Sequence, residues 1–216
     1  NWNFHQGAAE GAEQPEFDDS RWRVLDIPHD WSIEGEYDKN NPAGQSCGYL
    51  PTGEGWYRKT LEVPTDWSGQ IISLQFDGIF RHSTVWANGV KLGYRPYGWI
   101  SFAYDISEVV AKSNGRVVLS VHVDNRAQEA ARWYTGSGIY AHTRLVITDP
   151  LHIPQWGVYA TSKKRGDDAA LSVATRWENR ARTSLETTLV TRLLDLNGKV
   201  VAEGKSDFKA ADHGQG

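Results

Sequence analysis

Residues 116–124 read Arg-Val-Val-Leu-Ser-Val-His-Val-Asp, and Val117, Leu119, Val121 and Val123 recur at every second position without a break. A period of two places all four on one face of an extended strand, whereas a helix would scatter them around its axis. Upstream, Asn88-Gly89 stands between the runs 84–87 and 90–94. Both residues accept positive φ, so this pair is the strongest short hairpin signal a chain can carry. Together the two features commit the chain to antiparallel β structure.

The remaining strands are read around that frame. Residues 56–63 form one, ended by Pro64 and the turn Asp66-Trp67-Ser68-Gly69. Residues 71–77 form another, with Ile72, Leu74 and Phe76 facing the core. Shorter strands are expected at 1–5, 100–105 and 140–147, with one helical turn at 106–111. Residues 17–22 read as a turn capped by Asp or Ser. Pro28 fixes the geometry before His29-Asp30-Trp31. Adjacent side chains point in different directions, so His29 and Asp30 are expected to hold the N-terminal arm rather than to form a catalytic pair. Residues 34–55, with five glycines and two prolines, read as a long irregular loop.

Pro150 and Pro154 bracket an expected domain boundary. Beyond it, strands are predicted at 157–161, at 169–178 with Leu171, Val173 and Trp177 inward, and at 184–194 with Leu185, Leu189 and Leu193 on one face. Asp195-Leu196-Asn197-Gly198 makes a second hairpin turn into 199–204. Short strands with such turns suit an immunoglobulin-like sandwich of about 100 residues. Only 66 residues follow position 150, so this domain is expected to be incomplete. The predicted fold class is all-β: a jelly-roll sandwich over 1–150 and a partial immunoglobulin-like sandwich over 151–216.

Composition excludes several partners. The net charge is −4, and the excess of acid lies before residue 151, so neither nucleic acid nor an anionic membrane is favoured. No apolar run of about 18 residues spans a membrane. Cys47 is the only cysteine, which rules out an intrachain disulfide and leaves the redox compartment open. Methionine is absent altogether, and the chain is therefore expected to be a processed or excised piece. Any targeting segment, such as the leader of a secreted or periplasmic protein, lies upstream in that reading. Eight of the ten tryptophans precede residue 151, a density found both in thick β cores and in sugar-binding surfaces.

Chemistry-bearing motifs are sparse. The seven histidines show no ligand spacing, and there is no cysteine cluster, so no metal is expected. Neither a phosphate-binding glycine loop nor a Gly-x-Ser-x-Gly elbow occurs, and no cofactor is predicted. Glycoside hydrolysis needs two carboxyl groups flanking the scissile bond. Glu54, Asp77, Asp105, Asp124 and Glu129 are available, but nothing in the sequence selects a pair, and no catalytic residue is assigned. The stretch 123–140 is the most suggestive. It sets Arg132, Trp133 and Tyr134 side by side before Gly136-Ser137-Gly138. A guanidinium fork beside aromatic faces suits a ligand of hydroxyls and C–H faces, such as a sugar, and equally suits a buried loop corner.

Several strings in order resemble the N-terminal region of glycoside hydrolase family 2, especially its β-galactosidases. They are residues 16–22 (Glu-Phe-Asp-Asp-Ser-Arg-Trp), 27–31 (Ile-Pro-His-Asp-Trp), 48–59, Phe76-Asp77-Gly78 with Val85-Trp86-Ala87-Asn88-Gly89, and Asp124-Asn125 with Arg132-Trp133-Tyr134 and 136–140 (Gly-Ser-Gly-Ile-Tyr). The resemblance implies a galactose-binding-like jelly roll and then the start of an immunoglobulin-like domain. It also implies a retaining exo-β-glycosidase whose two catalytic glutamates lie in a TIM-barrel domain of the same polypeptide, outside these residues. Loops of the first domain then help to hold the sugar, a β-galactoside or related glycoside. By motif match the substrate-binding candidates are Arg132, Asn125, Trp133 and Tyr134. Family members commonly carry Arg after Gly-Ile-Tyr, where this chain has Ala141. Some members place a metal-binding carboxylate near the start of this motif; Arg132 occupies the comparable place, which again argues for no metal.

Two other readings fit the same residues. One is a free-standing carbohydrate-binding module. The other is a structural or partner-binding sandwich, in which the loops 34–55 and 125–140 form an assembly surface.

Overall fold

The computed structural model of the chain describes residues 1–127 and 134–216, apart from the side chain of Ser46. It divides into two compact units, Asn1–Ile147 and Thr148–Gly216. The fold is all-β.

The first unit contains β1 (Trp2–Gln6), β2 (Arg23–Leu25), β3 (Gly53–Glu62), β4 (Ile71–Phe76), β5 (Ser83–Ala87), β6 (Val90–Arg95), β7 (Phe102–Asp105), the short helix α1 (Ser107–Lys112), β8 (Arg116–Asn125) and β9 (Thr143–Thr148). Six strands form one sheet in the order β2-β1-β3-β8-β5-β6, and β7-β4-β9 form a second. The two central strands run antiparallel over ten residue pairs, from Gly53 opposite Asn125 to Glu62 opposite Arg116.

The apolar alternation sets the core. Val117, Leu119, Val121 and Val123 are all fully buried, as are Ile72, Leu74 and Phe76 on the opposing sheet. Trp2, Phe4 and Tyr57 extend the same core along β1 and β3. Each such aliphatic side chain contributes about 1.5–3 kcal/mol by leaving water. Asn88 adopts the positive φ its turn requires and also caps its neighbours, its carboxamide oxygen accepting the Val118 amide at 2.7 Å.

The outer face of the large sheet hides a charge. Arg58 is 2% exposed and reaches under the segment 12–19. Its guanidinium donates to Asp19 at 2.8 Å, to Ser120 Oγ at 2.9 Å, and to the carbonyls of Ala12 and Gln14. The ring of Phe17 lies 5.5 Å from the guanidinium carbon. A segment without regular structure is thereby tied down by one fork of donors.

Two of the boundaries that differ from the sequence reading bear on the loops described below. β3 starts at Gly53 rather than at Trp56, and the loop before it contains a single 3₁₀ turn, Gly44–Cys47. β9 starts at Thr143 rather than at Tyr140, and ahead of it Gly138 forms an isolated bridge with Phe80.

The second unit consists of two-stranded ribbons: β10 (Leu151–His152) with β13 (Glu178–Asn179), β11 (Val158–Arg165) with β12 (Asp168–Thr175), and β14 (Leu185–Leu194) with β15 (Val200–Ala210). Leu171, expected to face inward, and Leu185 and Leu193, expected to share one apolar face, remain exposed. The physical reason is the ribbon itself, since two strands bury little until a further layer covers one face. Trp177 does find a partner, its ring 5.1 Å from that of Phe208. Buried Asn179 ties three carbonyls, those of Thr183, Ala210 and Ala211.

Candidate functional site

The start of β3, the end of β8 and the loops 29–52, 78–82, 96–101 and 134–140 meet at one end of the first unit. There the segment 29–31 runs alongside 137–139. His29 N–H donates to Ile139 O at 2.8 Å, and Trp31 N–H to Ser137 O at 3.2 Å.

Asp30 organises the crossing. One carboxylate oxygen accepts the amides of Ser32 at 3.0 Å and Ser137 at 2.9 Å, and the other accepts the Tyr134 hydroxyl. Burial and this contact hold the Tyr134 phenol above its ordinary pKa, so it stays protonated as a donor. Behind them runs a chain of buried donors. Asn125 donates its amide to Ser137 Oγ at 2.7 Å and to Gly136 O at 3.0 Å. Ser32 Oγ lies 2.7 Å from Ser137 Oγ and 2.6 Å from Pro51 O. A hydroxyl carries one proton and a carbonyl only accepts, so Ser32 donates to Pro51 and Ser137 donates to Ser32.

Both glycines of the Gly136-Ser137-Gly138 string are required. A Cβ on Gly136, at φ +83°, would come 2.9 Å from the Asp30 carboxylate. One on Gly138, at φ +117°, would run into the Tyr57 hydroxyl and lie 2.9 Å from His29 O. The Tyr57 phenol, held protonated by burial, donates to His29 Nδ1 across 2.7 Å. His29 therefore carries its proton on Nε2, which stands 3.3 Å from Glu34 Oε2, off the line of a good hydrogen bond. Burial lowers the His29 pKa and keeps the ring neutral. Glu34 is instead gripped by both terminal nitrogens of Arg23, at 2.6 and 2.7 Å, and its pKa falls to about 2.

The loop leaving β8 is fixed at its base. Arg126 grips Asp124 at 2.6 and 2.9 Å and approaches Glu54 at 3.3 Å, while Glu54 also meets His122 at 2.8 Å. Arg81 donates to Ala127 O at 2.6 Å. Beside the 29–41 segment a polar cleft of about 540 Å³ is lined by Gln6, Arg23, Trp31, Glu34, Tyr37 and Asn41. Among the described residues no three His, Cys, Asp or Glu side chains converge as metal ligands.

Of the four residues singled out in the sequence, Arg132 and Trp133 lie outside the described residues. Asn125 is fully buried and holds the loop from within. Tyr134 is 38% exposed, with its hydroxyl tied to Asp30 and its ring open to solvent. The contributions of Ser32, Tyr57, Glu34 and Arg23 carried no signal in the sequence, because none of their pairings follows a local pattern. Tyr97-Gly98-Trp99 was a detectable signal, aromatics set in a turn between strands. Trp99 packs edge-on against Tyr140 at 5.5 Å, and the Tyr140 hydroxyl donates to Gly98 O at 2.8 Å.

Comparison with known proteins matches residues 17–150 to the glycosyl hydrolases family 2 sugar binding domain. The chain belongs to glycoside hydrolase family 2. It is 45% identical over 210 residues to the β-galactosidase BoGH2A of Bacteroides ovatus, covering 97% of this chain and 25% of that protein. A β-glucuronidase of Formosa agariphila is 26% identical over 230 residues, with 95% of this chain and 23% of that protein covered. The crystal structure of a β-glycosidase from Bacteroides vulgatus superposes with a TM-score of 0.89 at 38% identity, over 96% of this chain and 27% of that one. This family 2 chain thus spans about a quarter of the length of the relatives it matches.

Proposed function

We propose that this chain is the N-terminal, non-catalytic portion of a retaining exo-β-glycosidase that acts on β-galactosides. Its role is to present the 126–140 loop to the substrate pocket of a TIM-barrel domain in the same polypeptide. The observation that carries this reading is the 45% identity to a β-galactosidase along nearly the whole chain, against a quarter of that protein's length. The geometry supports it, because Asp30, Asn125 and Arg126 fix the base and the far end of a loop whose Tyr134 ring stays open. Tyr134, Trp133 and Arg132 then contact the sugar, and Asn125 shapes the loop that carries them.

The parent polypeptide should turn over nitrophenyl β-galactoside faster than the glucuronide or mannoside, while the 216-residue chain alone turns over none. Turnover by the isolated chain, abolished by a substitution within it, would end the non-catalytic reading. Preference of the parent for the glucuronide would end the galactoside assignment. Millimolar or tighter binding of galactose or lactose by the isolated chain, read by calorimetry, favours a carbohydrate-binding module instead.

A further inference from the structure

The cleft beside residues 29–41 has a chemically uneven lining. Arg23 is the one cation among the described residues that line it, and Glu34 takes up both of its terminal nitrogens. Glu36 and Asp38 also line it, with no further cation in the lining to pair with them. The Tyr37 ring stands 76% exposed, while Trp31, buried in the core, gives the cleft a fixed wall. Its volume of about 540 Å³ falls inside the range of about 300–1,000 Å³ usual for small-molecule sites.

The loop that forms the cleft has neither helix nor strand before Gly44, yet it is pinned. The Asn41 side-chain amide donates to Tyr49 O at 2.7 Å and to Glu36 O at 3.3 Å, and the Asp38 N–H donates to Tyr49 O at 3.0 Å. The same loop reaches the far end of the 126–140 loop. Cys47 Sγ lies 4.0 Å from Thr135 Oγ1, Trp31 N–H donates to Ser137 O, and Tyr37 helps to hold the Tyr134 phenol protonated. The cleft and Tyr134 are neighbours.

We infer that this cleft receives the sugar on the leaving-group side of the scissile bond and accepts only uncharged ones, so that the substrate is a β-galactoside of a neutral sugar rather than of a sugar acid. The inference rests on the function proposed above. An exo-acting enzyme releases the terminal sugar, so a further unit held beside it belongs to the leaving group. Carboxylates accept hydroxyl protons in charge-assisted hydrogen bonds, and an open phenol ring packs on the C–H face of a sugar. A carboxylate carried by the ligand meets the like charges of Glu36 and Asp38 and loses water without gaining a partner.

Kinetics of the parent polypeptide test this. Lactitol and lactobionate carry the same galactose on an open-chain leaving group and differ in a terminal carboxylate. Lactitol should show a kcat/KM about tenfold higher, and the gap should narrow when Glu36→Gln is combined with Asp38→Asn. Tyr37→Ala should lower kcat/KM about fivefold further on lactose than on methyl β-galactoside, which has no second sugar, and Tyr37→Phe should restore most of that loss. Equal rates on lactitol and lactobionate, or equal losses on lactose and methyl β-galactoside, would overturn the cleft while leaving the galactosidase reading intact. A parent that cleaves none of the four compounds ends the galactosidase reading, and calorimetry then decides the cleft separately. Preferential binding of lactitol over lactobionate, abolished by Tyr37→Ala, upholds it, and equal or absent binding removes it.

Discussion

The Asn125 side-chain amide donates to the Ser137 hydroxyl at 2.7 Å, closing from inside the protein the loop between two residues that stand twelve apart in the chain. Neither end of that loop depends on a contact with solvent. Asn125→Ala removes two donated bonds and strands the Gly136 carbonyl in a buried site, which costs about 1–3 kcal/mol per unsatisfied group. Urea unfolding should show that loss. An unchanged midpoint would mean that the loop closes without Asn125.

Gly138 faces a harder constraint. Gly138→Ala places a methyl against the Tyr57 hydroxyl at a φ of +117°, and the expected destabilisation exceeds about 3 kcal/mol. Gly204→Ala in β15 provides the contrast, since a Cβ there meets nothing within 4 Å. Its effect should stay within about 0.5 kcal/mol. Similar melting shifts for the two variants would contradict the packing described around Tyr57.

The buried His29 and the clamped Glu34 both make stability fall with acid. Burial depresses the His29 pKa below its ordinary 6.5, so the unfolded chain takes up that proton first and stability declines as pH drops below 6.5. Glu34, held down to about 2 mainly by Arg23, contributes stability above its ordinary 4.5 that is lost as pH falls toward 2. His29 faces Glu34, Arg23, Asp30 and Tyr57, and none of these reverses the sign. Thermal melting from pH 7 to pH 3 should therefore show two successive declines, with the first flattened in His29→Gln. A melting temperature that is level from pH 7 to pH 5 would exclude the His29 contribution.

Arg58→Ala removes the donors that hold residues 12–19 and leaves their carbonyls unpaired against the sheet. Loss of a buried charged partner of this kind costs about 3–5 kcal/mol. Limited proteolysis should then cut within 12–19 well before any other site in the first unit. Resistance equal to the native chain would show that the segment is held by other means.

What the sequence disclosed follows the range of the interactions. Alternation within one strand is local, so Val117 to Val123 and Ile72 to Phe76 announced both their structure and their burial. The Asn88-Gly89 turn is equally local. The Ser32–Ser137 contact joins residues 105 apart, and nothing near either serine betrays it. His29-Asp30 was legible as structural but not in its detail, because Tyr57 and Tyr134 arrive from two other segments and the approach of Glu34 follows no local pattern. Leu171 and Leu185 misled for the converse reason. A period of two reports which face is apolar, not whether another layer covers it.

Besides the Asp19 carboxylate and the Phe17 ring, Arg58 reads its segment through backbone oxygens, those of Ala12, Gln14, Pro15 and Phe17. Every residue type carries such an oxygen. Ala12, Gln14 and Pro15 are therefore free to drift during evolution with little change in the shape of the segment, provided that its length stays constant. Insertions there should be far rarer among related proteins than replacements, and Arg58 should outlast most of the residues it holds.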